Sequence, residues 1–282
     1  MKTQLVLDPI QRSRRQLVLN YRVDDIPFHT VYWYDTVDFH ALEERFGEPF
    51  MRKVYFHLLA YEANKAASLK PDVLDPGPYA DLYTDAFYDA WITIFRGVWG
   101  VWRYDNDIRD YNGPKVSENG SARRSEVAPA TLGGGDRLLA LCGGGKDSLA
   151  SFKLLERAGV AYDAMVYSHN IYGKAQPQHD LIDGMLRHTT AGQIHRAWVY
   201  DTALDSPAAR LYPEYGIRNI LAAETVSSYW TALPIALAHN YTRVALGVTK
   251  STDEHNLVWP ETDEAINYLW GMSTAAETLL HD

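Results

Sequence analysis

From Arg137 onward the chain alternates between short apolar runs and helix-length segments, and this alternation constrains the fold more than any other feature. Arg137–Cys142 (RLLALC), Tyr162–Tyr167 (YDAMVY), Ile194–Tyr200 (IHRAWVY) and Arg243–Val248 (RVALGV) read as buried strands. Asp147–Ala158, Leu181–Thr190 and Leu221–His239 read as helices between them, the last interrupted at Pro234. Strands and helices alternating in this way predict right-handed crossovers and a parallel sheet. Ligands of such sheets sit at the carboxyl ends of the strands.

The first part of the chain reads differently. The Leu17–Leu19 run, Val23 and the Val31–Tyr34 run predict early strands. A helix is expected over about Glu48–Ser68, stopped by Pro71, and another over Tyr79–Phe95. Aromatic residues are dense here, among them Tyr32, Trp33, Tyr55, Phe56, Trp91, Trp99 and Trp102, and such residues belong in a core more often than in a ligand cage. Residues 113–135 are rich in glycine, serine, proline and charge, with no apolar periodicity. The expected organisation is an α+β domain over 1–112, a linker over 113–135 and an α/β domain over 136–282.

Composition narrows the function. Lys and Arg total 27 against 36 Asp and Glu, a net charge of −9, which argues against broad binding to nucleic acid. A single cysteine, Cys142, excludes an intrachain disulfide framework and a cysteine-based zinc cluster. No apolar run approaches the roughly 18 residues of a membrane span. The amino terminus shows no apolar stretch followed by a small-residue cleavage site, so a cytoplasmic protein is expected.

The first strand of the second half ends in Gly143-Gly144-Gly145-Lys146-Asp147-Ser148 and runs into a helix. Glycines permit a tight turn and close approach of a ligand, and a helix start offers free N–H groups to an anion. Lys146 adds a charge and Ser148 a hydroxyl, so phosphate is the natural guest. The Walker pattern fails because Asp147 follows Lys146, and the dinucleotide fingerprint fails because Ser148 stands at its third glycine position. The turn resembles the S-G-G-x-D-S turn of the PP-loop ATP pyrophosphatases, with Gly143 in place of the first serine. Gly247 and the charged residues just after it, Lys250, Asp253 and Glu254, resemble the later strand of those enzymes. The resemblance implies an adenine nucleotide α-hydrolase-like, parallel-sheet PP-loop domain. It also implies ATP as cofactor, cleaved between its α- and β-phosphates, and Mg2+ at Asp147. An N-terminal helix residue complementing the helix dipole is the plainer role for Asp147.

A narrower resemblance rests on several segments together. His57-Leu58-Leu59-Ala60-Tyr61-Glu62-Ala63-Asn64-Lys65 and Ser68-Leu69-Lys70-Pro71 precede the linker. The glycine turn, Asn256-Leu257-Val258-Trp259, Ile266-Asn267-Tyr268-Leu269-Trp270-Gly271-Met272-Ser273 and Ala276-Glu277 follow it. In this order they resemble the MurL family, the UDP-N-acetylmuramoyl-L-alanyl-L-glutamate epimerases of bacterial peptidoglycan synthesis, from about residue 50 onward. The family usually has His where Tyr268 stands and Lys where Met272 stands. Its members are longer, which implies further chain beyond the apparent helix Thr274–Leu280.

The resemblance implies a nucleotide-sugar dipeptide as substrate, neither nucleic acid nor membrane as partner, and inversion of a terminal L-glutamate. The proton beside a free carboxylate is very weakly acidic; adenylation removes that charge, after which a base takes the proton and an acid returns it to the other face. Candidate catalytic residues are Lys146, Lys250, Glu254, His255 and Tyr268. Candidate nucleotide-binding residues are Gly143, Gly144, Gly145, Lys146, Asp147, Ser148 and Gly247. His169 is expected near adenine or ribose. Asn64 and Lys65 are placed either toward a substrate carboxylate or phosphate or on an exposed helix face. The rival readings are another PP-loop adenylating enzyme, an amide ligase or a tRNA-modifying enzyme, and an inactive nucleotide-binding homologue.

Overall fold

The computed structural model describes residues 2–117, 127–203, 206 and 224–281. One mixed sheet of ten strands runs through both halves of the chain. The parallel part comprises β7 (Leu138–Cys142), β8 (Tyr162–His169), β9 (Ile194–Asp201) and the short edge strand β10 (Val244–Ala245), in the order β10-β7-β8-β9. Beyond β9 the order continues through β4 (Ile26–Tyr34), β3 (Gln16–Val23), β1 (Gln4–Leu7), β5 (Val73–Asp75) and β6 (Lys115–Val116). The two-residue β2 (Gln11–Arg12) pairs with β3, off this path. The join is antiparallel, with Thr30 opposite Asp201 and Tyr34 opposite Ala197.

Patterning explains which strand sits where. All five residues of β7 are buried, as an apolar run covered on both faces should be. In β3 burial alternates, placing Leu17, Leu19, Tyr21 and Val23 on the inner face. The helix α1 (Phe39–Phe46) starts at Asp38, whose carboxylate accepts the His40 and Ala41 amides. The long helix α2 (Glu48–Ala63) passes into a 3-10 turn, Asn64–Leu69. Its second half is almost wholly buried against the inner face. The helices α3 (Asp85–Val98) and α4 (Gly100–Asp105) follow. Trp91, Trp99 and Trp102 are fully enclosed in the large core, as expected of aromatics at such density.

Two layers flank the parallel strands. The helices α5 (Lys146–Arg157) and α6 (Ala175–Leu186) cover one face, where Phe152, Ile182 and Leu186 join Ala140, Ala164 and Val166. The helix α7 (Glu224–His239) lies with α2 on the other face, where Val226, Ala232 and Ile235 join the large core. The expected break at Pro234 does not occur; the helix continues to His239. Nearby, the Tyr34 hydroxyl donates to the Thr231 carbonyl at 3.0 Å. The strand expected over 243–248 is paired only at Val244 and Ala245, because the chain then leaves the sheet toward the start of α5.

A small hairpin of β11 (Leu257–Trp259) and β12 (Glu264–Ile266) precedes α8 (Thr274–His281). Leu279 and Leu280 of α8 are half-buried against the large core. Residues 118–126 of the expected linker, and 221–223 of the expected helix, lie outside the described residues. Among the described residues no helix is long and apolar enough to cross a membrane.

Candidate functional site

The strand order makes the crevice. The chain leaves β7 on one side to reach β8, and later returns on the other side as β10. Where strand order reverses in this way, helices diverge to opposite faces and leave an opening at the carboxyl ends. The glycine turn lies there. Gly144 has φ +81°, and a methyl group on it would lie 2.7 Å from Ile182 Cγ1, so glycine alone fits. Side chains built at Gly143 and Gly145 would meet nothing within 4 Å, which leaves open space over the turn.

Gly145 is the N-cap of α5 and supplies no side-chain cap, so the first turn presents its N–H groups toward that space. Lys146 Nζ lies 2.8 Å from Asp147 Oδ1, and the lysine side chain is otherwise well exposed. On the far side of the crevice Gly247 closes against this helix start. A Cβ there would lie 2.6 Å from the Asp147 carbonyl oxygen and 3.1 Å from the Ser148 nitrogen.

Of the residues of the turn, only Gly143 and Ser148, with Gly247, border a cavity of about 480 Å³, within the size range of small-molecule sites; Gly144, Gly145, Lys146 and Asp147 do not line it. Gly143, Ser148 and Gly247 lie together at one end of it. Tyr167, Tyr172, Leu181, Tyr229 and Met272 form an aromatic and apolar wall suited to a flat base. Cys142 also borders it, but burial pushes its thiol up to about 11, so it stays a neutral packing group.

Asp147, whose carboxylate is held by Lys146, is the carboxylate of the turn that could meet a magnesium ion. Mg2+ takes one or two carboxylates and fills the rest of its shell with water and phosphate oxygens. Asp147 offers one partly exposed carboxylate beside the turn. No group of three His, Cys, Asp or Glu able to hold a metal exists among the described residues, so phosphate would have to complete the shell.

The structure therefore brings Gly143–Ser148 and Gly247 together. It leaves Lys250, Glu254, His255 and Tyr268 exposed and none of the four lines the cavity. Their neighbours tie the local chain. Asp253 caps α8, accepting the Thr274 amide at 2.7 Å and its hydroxyl at 2.9 Å. Asn267 donates to the Thr252 carbonyl at 2.6 Å, and Asn256 accepts the Tyr268 amide at 2.7 Å.

A second group of polar residues is buried where α2 meets the ends of β8 and β9, and none of them lines the cavity. Glu62, Lys65, Asp201 and His169 are each at most 4% exposed. An exposed helix face for Asn64 and Lys65 is thus corrected: both point into the core where α2 passes into its 3-10 turn. The Lys65 ammonium donates to Asp201 Oδ2 at 3.0 Å and to Glu62 Oε1, and the Tyr32 hydroxyl donates to Glu62 Oε2. Asp201 Oδ1 accepts the Ala203 amide at 2.7 Å. Burial opposes the Lys65 charge, but the two carboxylates outweigh it and hold the ammonium form firmly.

The sequence named Lys65 and His169 but gave no reason to join them. The available signal was Glu62 and Lys65, two opposite charges three residues apart inside an otherwise apolar helix. Asp201 carries no local signal; it reaches Lys65 across 136 residues.

No family model, no curated protein and no solved structure matches the chain.

Proposed function

We propose that the chain is an ATP-dependent epimerase that inverts the terminal L-glutamate of UDP-N-acetylmuramoyl-L-alanyl-L-glutamate through adenylation of its carboxylate. The observation that carries the nucleotide half is the meeting of the glycine turn, an uncapped helix start and Gly247 around one cavity at the reversal of strand order. Such a turn holds phosphate through backbone N–H groups without a Walker lysine-serine pair. The epimerase half rests on the sequence resemblance.

In this reading Gly143, Gly144 and Gly145 cradle phosphate, Ser148 donates a hydroxyl to it and Asp147 meets magnesium. Lys146 swings from Asp147 to the phosphates as negative charge builds there. The metal supplies charge neutralisation at the phosphates. Tyr167, Tyr172 and Tyr229 take the base. Activation of the glutamate carboxylate makes its neighbouring C–H acidic enough for proton transfer.

The test is one incubation of the protein with ATP, Mg2+ and the L-glutamate dipeptide nucleotide. AMP, pyrophosphate and D-glutamate after hydrolysis are the expected products. AMP release without inversion would reassign the chain to another adenylating class, such as an amide ligase. ADP as the sole nucleotide product would remove the PP-loop reading.

A further inference from the structure

We propose that the cavity between α3, α4 and the β11–β12 hairpin binds the α-carboxylate end of an amino-acid unit. The carboxylate sits on Arg96 and the α-nitrogen donates to Glu264 Oε2. The unit is a free amino acid or the carboxyl end of a short peptide, with an apolar side chain. This site is separate from the crevice, and the inference does not depend on the epimerase reading.

Two glycines bring the walls together. A Cβ on Gly97, in the last turn of α3, would collide with the Trp270 ring, and one on Gly100, at the start of α4, would lie 3.3 Å from Ile266 Cγ2. The hairpin and the 3-10 turn Trp270–Met272 therefore settle closely on the two helices. Between them remains a cavity of about 300 Å³, bordered by Thr93, Arg96, Glu264, Ala265, Ile266 and Trp270 among others. That is the lower end of the range for small-molecule sites, and room for one amino-acid unit.

Arg96 and Glu264 are the only charged residues lining it among the described residues. Arg96 is 52% exposed, and its guanidinium makes no hydrogen bond to them; its approach to Glu264 Oε1 is 3.8 Å, too long for one. Glu264 is held from behind. The Arg103 side chain, only 2% exposed, donates from Nη1 to Glu264 Oε1 at 2.9 Å and packs 5.7 Å from the Trp259 ring centroid. This buried guanidinium fixes the carboxylate through one oxygen. The other, Oε2, accepts no hydrogen bond from the described residues and is not among the buried atoms.

The charge balance selects the ligand. Two guanidinium groups against one carboxylate leave one positive charge, and it resides on the exposed Arg96, which can pair with a ligand carboxylate through two N–H groups. A bare anion would also meet Glu264 Oε2. A carboxylate with an N–H or ammonium beside it satisfies both groups, and an amino-acid unit carries the two on one α-carbon. Its side chain then covers Trp270 and Ile266, which offer apolar surface. Asn267, the remaining polar wall residue with an amide side chain, is already engaged: it donates to the Thr252 carbonyl at 2.6 Å and accepts the Leu269 amide at 2.9 Å.

Calorimetric titration of the full chain with alanine, leucine and phenylalanine, each free and N-acetylated, tests the site. At least one should saturate with a Kd of about 1 mM or tighter. Comparing the free with the N-acetylated form tells a free amino acid from a peptide end. For the tightest ligand, the primary amide lacks the carboxylate and the corresponding simple carboxylic acid lacks the nitrogen. Each loss should weaken binding about tenfold or more, the effect of one charge-assisted hydrogen bond. Arg96→Gln should weaken it by a similar factor, and Thr93→Trp, at an exposed helix position on the cavity wall, should abolish it by filling the space. Both variants are checked for native thermal unfolding. No saturation by about 10 mM, an analogue that binds as tightly as its parent, or unchanged binding in either folded variant would overturn the proposal. The analogue series on the wild-type chain decides alone if a variant does not fold. Nucleotide cleavage is not read in any arm, so failure here leaves the epimerase reading standing, and the reverse holds too.

Discussion

Gly247 packs directly on the main chain of Asp147, so that a single methyl group at Gly247 would come within 2.6 Å of the Asp147 carbonyl oxygen. Asp147 lies in the helix that follows β7 and Gly247 in the chain that follows β10, so their contact joins the two segments that leave the carboxyl ends of these paired strands. Gly247→Ala should push the start of α5 aside. An overpacked backbone contact of this kind costs about 1–3 kcal/mol. Chemical denaturation should show that loss, and equilibrium dialysis should show ATP binding weakened at least about tenfold.

Asp147→Asn should lower Mg2+-dependent AMP formation strongly while leaving the melting temperature near that of wild type, because its carboxylate is partly exposed. Ser148→Ala should cost about 1–3 kcal/mol of phosphate binding, seen as a raised KM for ATP. Normal turnover in both variants would show that the turn is only structural.

Lys65→Met should be severely destabilising. It leaves Glu62 and Asp201 buried without their cation, and breaking a buried pair in this way costs about 3–5 kcal/mol. The triple change of Glu62→Gln, Lys65→Met and Asp201→Asn should recover much of that loss, because no uncompensated charge remains. Urea unfolding of the two proteins gives the comparison.

Stability should fall as the pH drops below about 6.5. His57 and His195 are pulled down to about 4 and His169 to about 3, in each case chiefly by burial. Once unfolded, these rings bind protons near pH 6.5, while the folded forms do not until near pH 4 or 3. The unfolded state then holds more protons, so acid favours it across that window. His195 also faces His239, and its Nε2 lies 2.8 Å from the Tyr241 hydroxyl, which donates to Asp163. His195→Gln should reduce, by one of three rings, the pH dependence of the urea midpoint between pH 6.5 and 4.

Cys142 should resist alkylation by iodoacetamide at pH 8 in the folded protein. It is buried and its thiol is raised to about 11, so little thiolate is present. Mass spectrometry should find full labelling only in denaturant.

The parallel strands were legible because each is a compact apolar run bounded by turn residues. Leu138–Cys142 falls inside its expected run, and the hairpin of β3 and β4 follows the Leu17–Leu19 and Val31–Tyr34 runs. The glycine turn was legible for a local reason: Gly144 needs a positive φ, and such needs are written in adjacent residues. The β10 strand was over-read, since RVALGV is apolar enough for a strand but Gly247 belongs to the crevice. The β4–β9 pairing was not legible. Its register is set by packing between segments far apart in sequence, and neither strand alone announces its partner. Lys65 was ambiguous for the same reason, because its burial depends on Asp201 rather than on its helix neighbours.

The antiparallel seam between Ile26–Tyr34 and Ile194–Asp201 has a consequence for biosynthesis. At about 5–20 residues per second, roughly ten to thirty seconds pass between emergence of the first strand and synthesis of its partner. During that interval the growing polypeptide carries an open β-edge bearing Val31 and Tyr32, the kind of template that neighbouring nascent chains can extend. The interval during which that edge stays unpaired, and not only the stability of the finished sheet, then bears on how many molecules fold correctly.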